Sequence, residues 1–154
     1  EQGLVANNMI AINGGTSTNY GIYSYYTSYN KFYNNSINMV GGNSSSRAGY
    51  FYYGSNNDVI NNIFQVDGNG YPYYVNSSST VSTSDYNDYN TNGNYIAYWS
   101  GAKTSLSALQ SANSQDSHSK NVDPSYFSST DLHTSSIDLN NAGYPLAEIT
   151  VDID

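Results

Sequence analysis

The chain has 154 residues, 4 of them Lys or Arg and 12 Asp or Glu, for a formal net charge of -8. A surface this acidic disfavours nucleic acid, anionic membranes and polyanionic glycans as partners. The absence of cysteine excludes a disulfide framework and thiolate metal sites, and no segment approaches the roughly 18 apolar residues of a membrane-spanning helix.

The first element is the phrase LVANNMIAINGG, Leu4 to Gly15, in which Ile10 and Ile12 alternate with polar neighbours as in a strand. The phrase returns twice, as KFYNNSINMVGG (Lys31 to Gly42) and DVINNIFQVDGN (Asp58 to Asn69), each time 27 residues later. The apolar positions keep the same step: Val5, Phe32 and Val59; Ile10, Ile37 and Phe64; Ile12, Met39 and Val66. Gly14, Gly41 and Gly68 end each phrase in a turn. A fixed period between 20 and 50 residues is the mark of a solenoid, whose units bury their apolar faces only against one another.

Between the phrases runs a second register. YGIYSYYTSYN (Tyr20 to Asn30) lies 27 residues from RAGYFYYGSNN (Arg47 to Asn57), which sets Tyr23 over Tyr50, Tyr25 over Tyr52 and Tyr26 over Tyr53. YPYYVNSSSTVSTSDYNDYN (Tyr71 to Asn90) reads as the next coil, with Tyr73 and Tyr74 continuing the aromatic strand, but SDYNDYN fits the frame only with an indel. Helix signals are nearly absent before residue 103. Leu106, Leu109 and Ala112 then fall at helical spacing within SGAKTSLSALQSAN, predicting a short helix. Beyond it the chain reads as loops and short strands broken by Pro124 and Pro145.

These elements predict an all-β fold, a parallel β-helix of about 27-residue coils over residues 1–99, with an irregular helix-and-loop region over 100–154 closing the solenoid as part of the same domain. The paired asparagines inside an apolar phrase have an explanation in that fold. Asn7, Asn34 and Asn61, and beside them Asn8, Asn35 and Asn62, can form ladders in which each amide donates to the next, and Asn tolerates the left-handed backbone of sharp corners.

The NN-x-I coils, then SDYNDY, LSALQSANSQDSHSKNVDPSYFSSTDLHTSS and LNNAGYPL, together resemble the right-handed parallel β-helix (pectate-lyase-like) domains of large bacterial secreted and cell-surface proteins. The resemblance implies a right-handed solenoid, and a family in which some members are polysaccharide lyases or hydrolases while many are adhesin or stalk modules. Family domains usually continue into a further tail that closes the last coil. With a start in mid-coil and no export signal, this chain is therefore expected to be a segment of a longer one. Fold alone does not supply an activity.

The candidate chemistry is sparse. A uronate lyase needs carboxylates to hold calcium and a basic side chain as proton acceptor. Lys31, Arg47, Lys103 and Lys120 share no coil-equivalent position, so no basic stripe forms. Hydrolysis needs two carboxylates roughly 5 to 10 Å apart. The candidates are Asp58, Asp67, Asp85 and Asp88, with Asp85 and Asp88 read as solvated turn residues on opposite faces of one strand. Asp116, His118, Asp131 and His133 are weak candidates for a metal site, or for a nucleophile arrangement with Ser117 or Ser119; the stronger expectation is that they close the terminal loops by hydrogen bonds.

The most suggestive surface is aromatic. Tyr23, Tyr25, Tyr50, Tyr52 and Tyr73 are the candidates for stacking on sugar rings, while Asn and Ser would bond the hydroxyls. The competing explanation is that stacked rings simply stabilise a sheet face. No regular Thr-x-Thr array recurs, which argues against an ice-binding plane. The expectation is a non-catalytic structural or adhesive module, extracellular, without cofactor, and partnered by the rest of a longer chain, by copies of itself or by neutral glycans. The alternative is a polysaccharide-active or carbohydrate-binding β-helix domain.

Overall fold

The computed structural model describes residues 2–150; Glu1 and residues 151–154, the outer ends of the two expected stretches, lie outside the described residues. Each coil contributes three strands. The first holds β1 (Leu4–Ala6), β2 (Met9–Asn13) and β3 (Tyr20–Ser28), and the second β4 (Lys31–Tyr33), β5 (Ser36–Val40) and β6 (Arg47–Ser55). The third holds β7 (Asn57–Ile60), β8 (Ile63–Asp67) and β9 (Tyr71–Val75), and the fourth β10 (Val81–Asp85), β11 (Asp88–Thr91) and β12 (Ala97–Trp99). Equivalent strands stack in parallel into three sheets, ordered β1-β4-β7-β10, β2-β5-β8-β11 and β3-β6-β9-β12, with β13 (Ala102–Lys103) added antiparallel to β12. The fold is a parallel β-solenoid of about four coils.

The alternation of side chains along each strand fills the interior in rows. Ile10, Ile37, Phe64 and Tyr89 are register partners on the second sheet, as are Ile12, Met39 and Val66, and these rows meet Val5, Phe32 and Val59 from the first sheet. Ile37, Met39, Val59, Phe64, Val66 and Tyr89 are fully buried. Burial on this scale, at ~25 cal/mol per Å² of apolar surface, is the main stabilising term.

The third sheet departs from the expected frame. Six residues, 41–46, link β5 to β6, but only three, 68–70, link β8 to β9, so the register step from β6 to β9 falls from 27 to 24 residues: Gly49 pairs with Tyr73 and Tyr50 with Tyr74. A shift by an odd number swaps the faces of a strand. Tyr73 therefore points inward and is fully buried, correcting its expected place on the exposed face, and Tyr74 alone continues the outer row. The interior accommodates the extra ring because Gly49 has no side chain; a Cβ there would stand 2.7 Å from the Phe64 ring. Phe64, Tyr73 and Tyr89 pack as near-parallel rings with centroids 5.0–6.1 Å apart.

The asparagine corner between the first and second sheets forms as expected. Asn7, Asn34 and Asn61 occupy the left-handed region, with φ of 55°, 53° and 60°, and turn the chain sharply. Beside them runs an inner ladder: Asn8 Nδ2 donates to Asn35 Oδ1 (2.7 Å), Asn35 Nδ2 to Asn62 Oδ1 (2.9 Å) and Asn62 Nδ2 to Asn87 Oδ1 (3.0 Å). The backbone N–H of Asn8, Asn35 and Asn62 donates to the same oxygen as its side chain, so the amide oxygens of the buried rungs Asn35, Asn62 and Asn87 each accept two bonds inside an apolar phrase. Asn30 and Asn57 repeat the arrangement at the corner between the third and first sheets.

The C-terminal region does two jobs where one was expected. Helix α1 (Leu106–Asn113) starts on Ser105, whose Oγ accepts from the Ala108 N–H, and buries Leu109 in the solenoid core. Residues 116–122 then continue the strand ladder: Asp116 N–H donates to Ser84 O, Lys120 N–H to Asn87 O and Tyr89 N–H to Lys120 O. Ser119 Oγ accepts from the Asn87 N–H and so ends the asparagine ladder. Residues 123–150 do not close the solenoid end. They turn back along its flank, where Ser129 O accepts from Asn38, Tyr144 exchanges two 2.8 Å bonds with Asn61, and Glu148 pairs with Lys31 at 2.5 Å.

Candidate functional site

Two places on the solenoid concentrate side chains capable of recognition or chemistry. The larger is the outer face of the third sheet, which carries most of the chain's 18 tyrosines because outward positions of β3, β6, β9 and β12 fall on tyrosine in every coil. One ladder runs Tyr23, Tyr50, Tyr74, Tyr98, with centroids 4.9, 5.1 and 4.3 Å apart. A shorter one joins Tyr25 to Tyr52 at 5.7 Å, and Tyr71 stacks on Tyr95 at 5.5 Å. The Arg47 guanidinium lies over Tyr71 and Tyr74, at 4.8 and 4.4 Å, and adds a cation–π contact to the middle of the face.

The geometry limits what this face can do. Tyr23 and Tyr50 lie within 15° of parallel, Tyr25 and Tyr52 within 9°, and Tyr74 and Tyr98 within 6°, each pair at about the separation of neighbouring strands. Such pairs cover the surfaces they turn on each other along the solenoid axis, while Tyr50 meets Tyr74 edge to face at 82° and Tyr23 and Tyr25 stay about half exposed. Of the five glycan-contact candidates, Tyr23 and Tyr25 are exposed, Tyr50 and Tyr52 half-buried and Tyr73 interior. Burial, with added repulsion from neighbouring phenols, pushes Tyr50 up to about 12, so its phenol is neutral at neutral pH.

The second place is the corner between β10 and β11. Asp85 and Asp88 do not share a strand: the left-handed Tyr86 turns the chain between them. Asp85 Oδ1 accepts from the N–H groups of Tyr86 and His118, and Oδ2 lies 2.8 Å from His118 Nδ1. Partial burial works to raise its pKa, but the bonds from His118 and Tyr86 outweigh it and hold the carboxyl below its ordinary value. Asp88, in contrast, is buried. Its Oδ1 accepts from the Val122 N–H while Oδ2 has no hydrogen-bond partner, and burial pushes its pKa up to about 7. The reading of both as solvated turn residues is thus corrected. A cavity of about 120 Å³ lies beside them, lined in part by Tyr86, Asp88, His118 and Lys120.

The four weak metal candidates separate. Asp116 is fully buried and accepts from Ser84, Tyr89 and Ser119 at Oδ1 and from Asn113 at Oδ2. Burial raises its pKa against the pull of those bonds. His118 stacks on Tyr86 at 4.5 Å, and Asp131 pairs with His133 on the returning segment. Among the described residues no three His, Asp or Glu gather as a metal site. Nor do they set up a nucleophile: Ser117 and Asp85 both face Nδ1 of His118, whereas a relay needs them on opposite ring nitrogens. Ser119 is buried and donates to Asp116.

No family model, curated protein or solved structure matches the chain. What is established is the architecture, a parallel β-solenoid with a short helix near its C-terminal end. Sequence reasoning missed Asn87 and Ser119 as the end of the ladder and Asp116 as its buried anchor. The visible clue was Asn87 itself, 25 residues beyond Asn62 and set inside another Asn-Asp pair.

Proposed function

We propose that this chain is a non-catalytic structural and adhesive module, a stiff parallel β-helix segment of the pectate-lyase-like kind within a large secreted or cell-surface protein. One observation carries the reading: a tyrosine ladder crosses all four coils ring on ring, stacked from Tyr23 to Tyr50 and from Tyr74 to Tyr98 and edge to face from Tyr50 to Tyr74. Rings so packed stiffen the sheet and leave little free ring surface, enough for weak contact with neutral glycans. The rest of a longer chain, or further copies, would be the mechanical partners. The scattered Lys and Arg residues, without a basic stripe, also weigh against uronate chemistry.

Affinity electrophoresis in gels containing neutral polysaccharides, paired with thermal melts, tests this. Tyr50→Ala, in mid-ladder, should lower Tm, Tyr23→Ala, at the ladder's end, should barely move it, and neither should change a weak retardation. Strong retardation of the wild type that Tyr23→Ala abolishes without unfolding would make the face a carbohydrate-binding site instead. A polysaccharide-active reading finds its support in the cavity beside Asp88 and His118. It requires sugar release that Asp88→Asn removes.

A further inference from the structure

At the end of β3 and β6 four tyrosines close a ring of contacts: Tyr25 to Tyr26 at 4.7 Å, Tyr26 to Tyr53 at 5.0 Å, Tyr53 to Tyr52 at 4.4 Å and Tyr52 to Tyr25 at 5.7 Å. Tyr26 and Tyr53 both adopt the left-handed backbone, with φ of 52° and 63°, which turns their rings out at the corner. Tyr26 is 65% exposed and Tyr53 38%. We propose that this quartet is an oxidative cross-linking site, at which a one-electron oxidant of the peroxide-fuelled haem type joins Tyr26 to Tyr53 as dityrosine and ties the first coil to the second.

Three further observations point here. Competing reductants are scarce: the chain has no cysteine, Trp99 and Met39 are buried, and Met9, the other methionine, is half-buried. The outer tyrosines touch one another across the face, so an electron vacancy formed on an exposed ring can pass to its neighbours. Arg47 sits over Tyr71 and Tyr74, and a cation against a ring disfavours loss of an electron from it, which directs the vacancy away from those rings. The inference is independent of any glycan contact.

The step balances. Each phenol gives one electron and its proton to the oxidant, and one hydrogen peroxide takes up both hydrogen atoms to become two waters. The two phenoxyl radicals then bond through a ring carbon ortho to each oxygen. The hydrogens on those carbons move through water to the oxygens, restoring both aromatic rings, and the product has lost two hydrogen atoms.

Dilute protein treated with a haem peroxidase and hydrogen peroxide, followed by fluorescence, intact mass and peptide mapping, tests the assignment. The expected product is a monomer lighter by two hydrogens, with dityrosine fluorescence, a peptide linking Tyr26 to Tyr53 and a raised Tm. Tyr26→Phe and Tyr53→Phe keep the packing, and each should lose most of the fluorescence and the Tm gain, while Tyr95→Phe keeps both. Undiminished cross-linking in Tyr26→Phe would overturn the proposal, as would coupling found only between separate molecules.

Discussion

Asn62→Ala is the sharpest probe of what holds the coils in register. The Asn62 side chain is fully buried. Its Oδ1 accepts from the Asn35 backbone N–H (3.0 Å) and Nδ2 (2.9 Å), and its Nδ2 donates to Phe32 O (2.8 Å), Ile60 O (3.1 Å) and Asn87 Oδ1 (3.0 Å). Truncation strips the Asn35 N–H of its partner and removes donors from carbonyl groups in a dry corner. At about 1–3 kcal/mol for each buried group left unsatisfied, two such groups put the loss at about 2–6 kcal/mol. Asn8→Ala is the matched control, because Asn8 occupies the same ladder position but is exposed in the first coil, and its loss should stay below about 1 kcal/mol. Urea unfolding followed by far-UV circular dichroism supplies both numbers. If the two variants differ by less than about 1 kcal/mol, the ladder is incidental and strand pairing alone sets the register.

Three further predictions follow from single contacts. Asp88 titrates in the fold at about 7, above its ordinary 3.8, so wild-type stability is full below the ordinary value and falls as pH rises through about 7. Asp88→Asn has no such loss, and its advantage over wild type should grow between about pH 5 and about pH 8 by on the order of 2 kcal/mol; a pH-independent difference would refute the burial argument. Gly49→Ala drives a methyl against the Phe64 ring and should cost about 1–3 kcal/mol in urea unfolding, where an unchanged midpoint would show that the ring moves freely. Tyr73→Ala empties an interior site and should cost about 3–5 kcal/mol, which Tm measurements against Tyr23→Ala would resolve, equal shifts placing Tyr73 outside the core after all.

The first two coils were legible because their step is constant. Ile10 over Ile37 and Tyr23 over Tyr50 are register partners at the spacing the repeat predicts. Legibility failed where a connection shortened. Losing three residues between β8 and β9 turned Tyr73 inward, and no local signal in YPYYV distinguishes Tyr73 from Tyr74. Asp88 was misread for a related reason. A carboxylate is normally solvated, and the partner that makes burial of Asp88 tolerable, Val122, lies far along the chain, whereas Asp116 combines the distant Ser84 and Tyr89 with the nearby Asn113 and Ser119 in the hydrogen-bonded closing role expected of it. The path of residues 123–150 is set by a few bonds to Asn38, Asn61 and Lys31, which leave no periodic trace.

With so few charges and no cysteine, this solenoid is held by neutral groups that satisfy their own copies, amide on amide at the corners and ring on ring across the third sheet. That economy makes each coil depend on its neighbours. In the first coil Leu4 and Val5 remain 51% and 37% exposed, whereas Phe32 and Val59, the register partners of Val5 in later coils, are 4% and 0% exposed. The last coil has no such deficit, because Leu109 plugs its interior and Ser119 takes the final ladder donor. In a 154-residue chain tested by itself, local unfolding should therefore begin at the first coil and spread toward the helix. The tyrosine quartet bridges that weak coil to the second one, where a covalent tie would suppress the opening at its source.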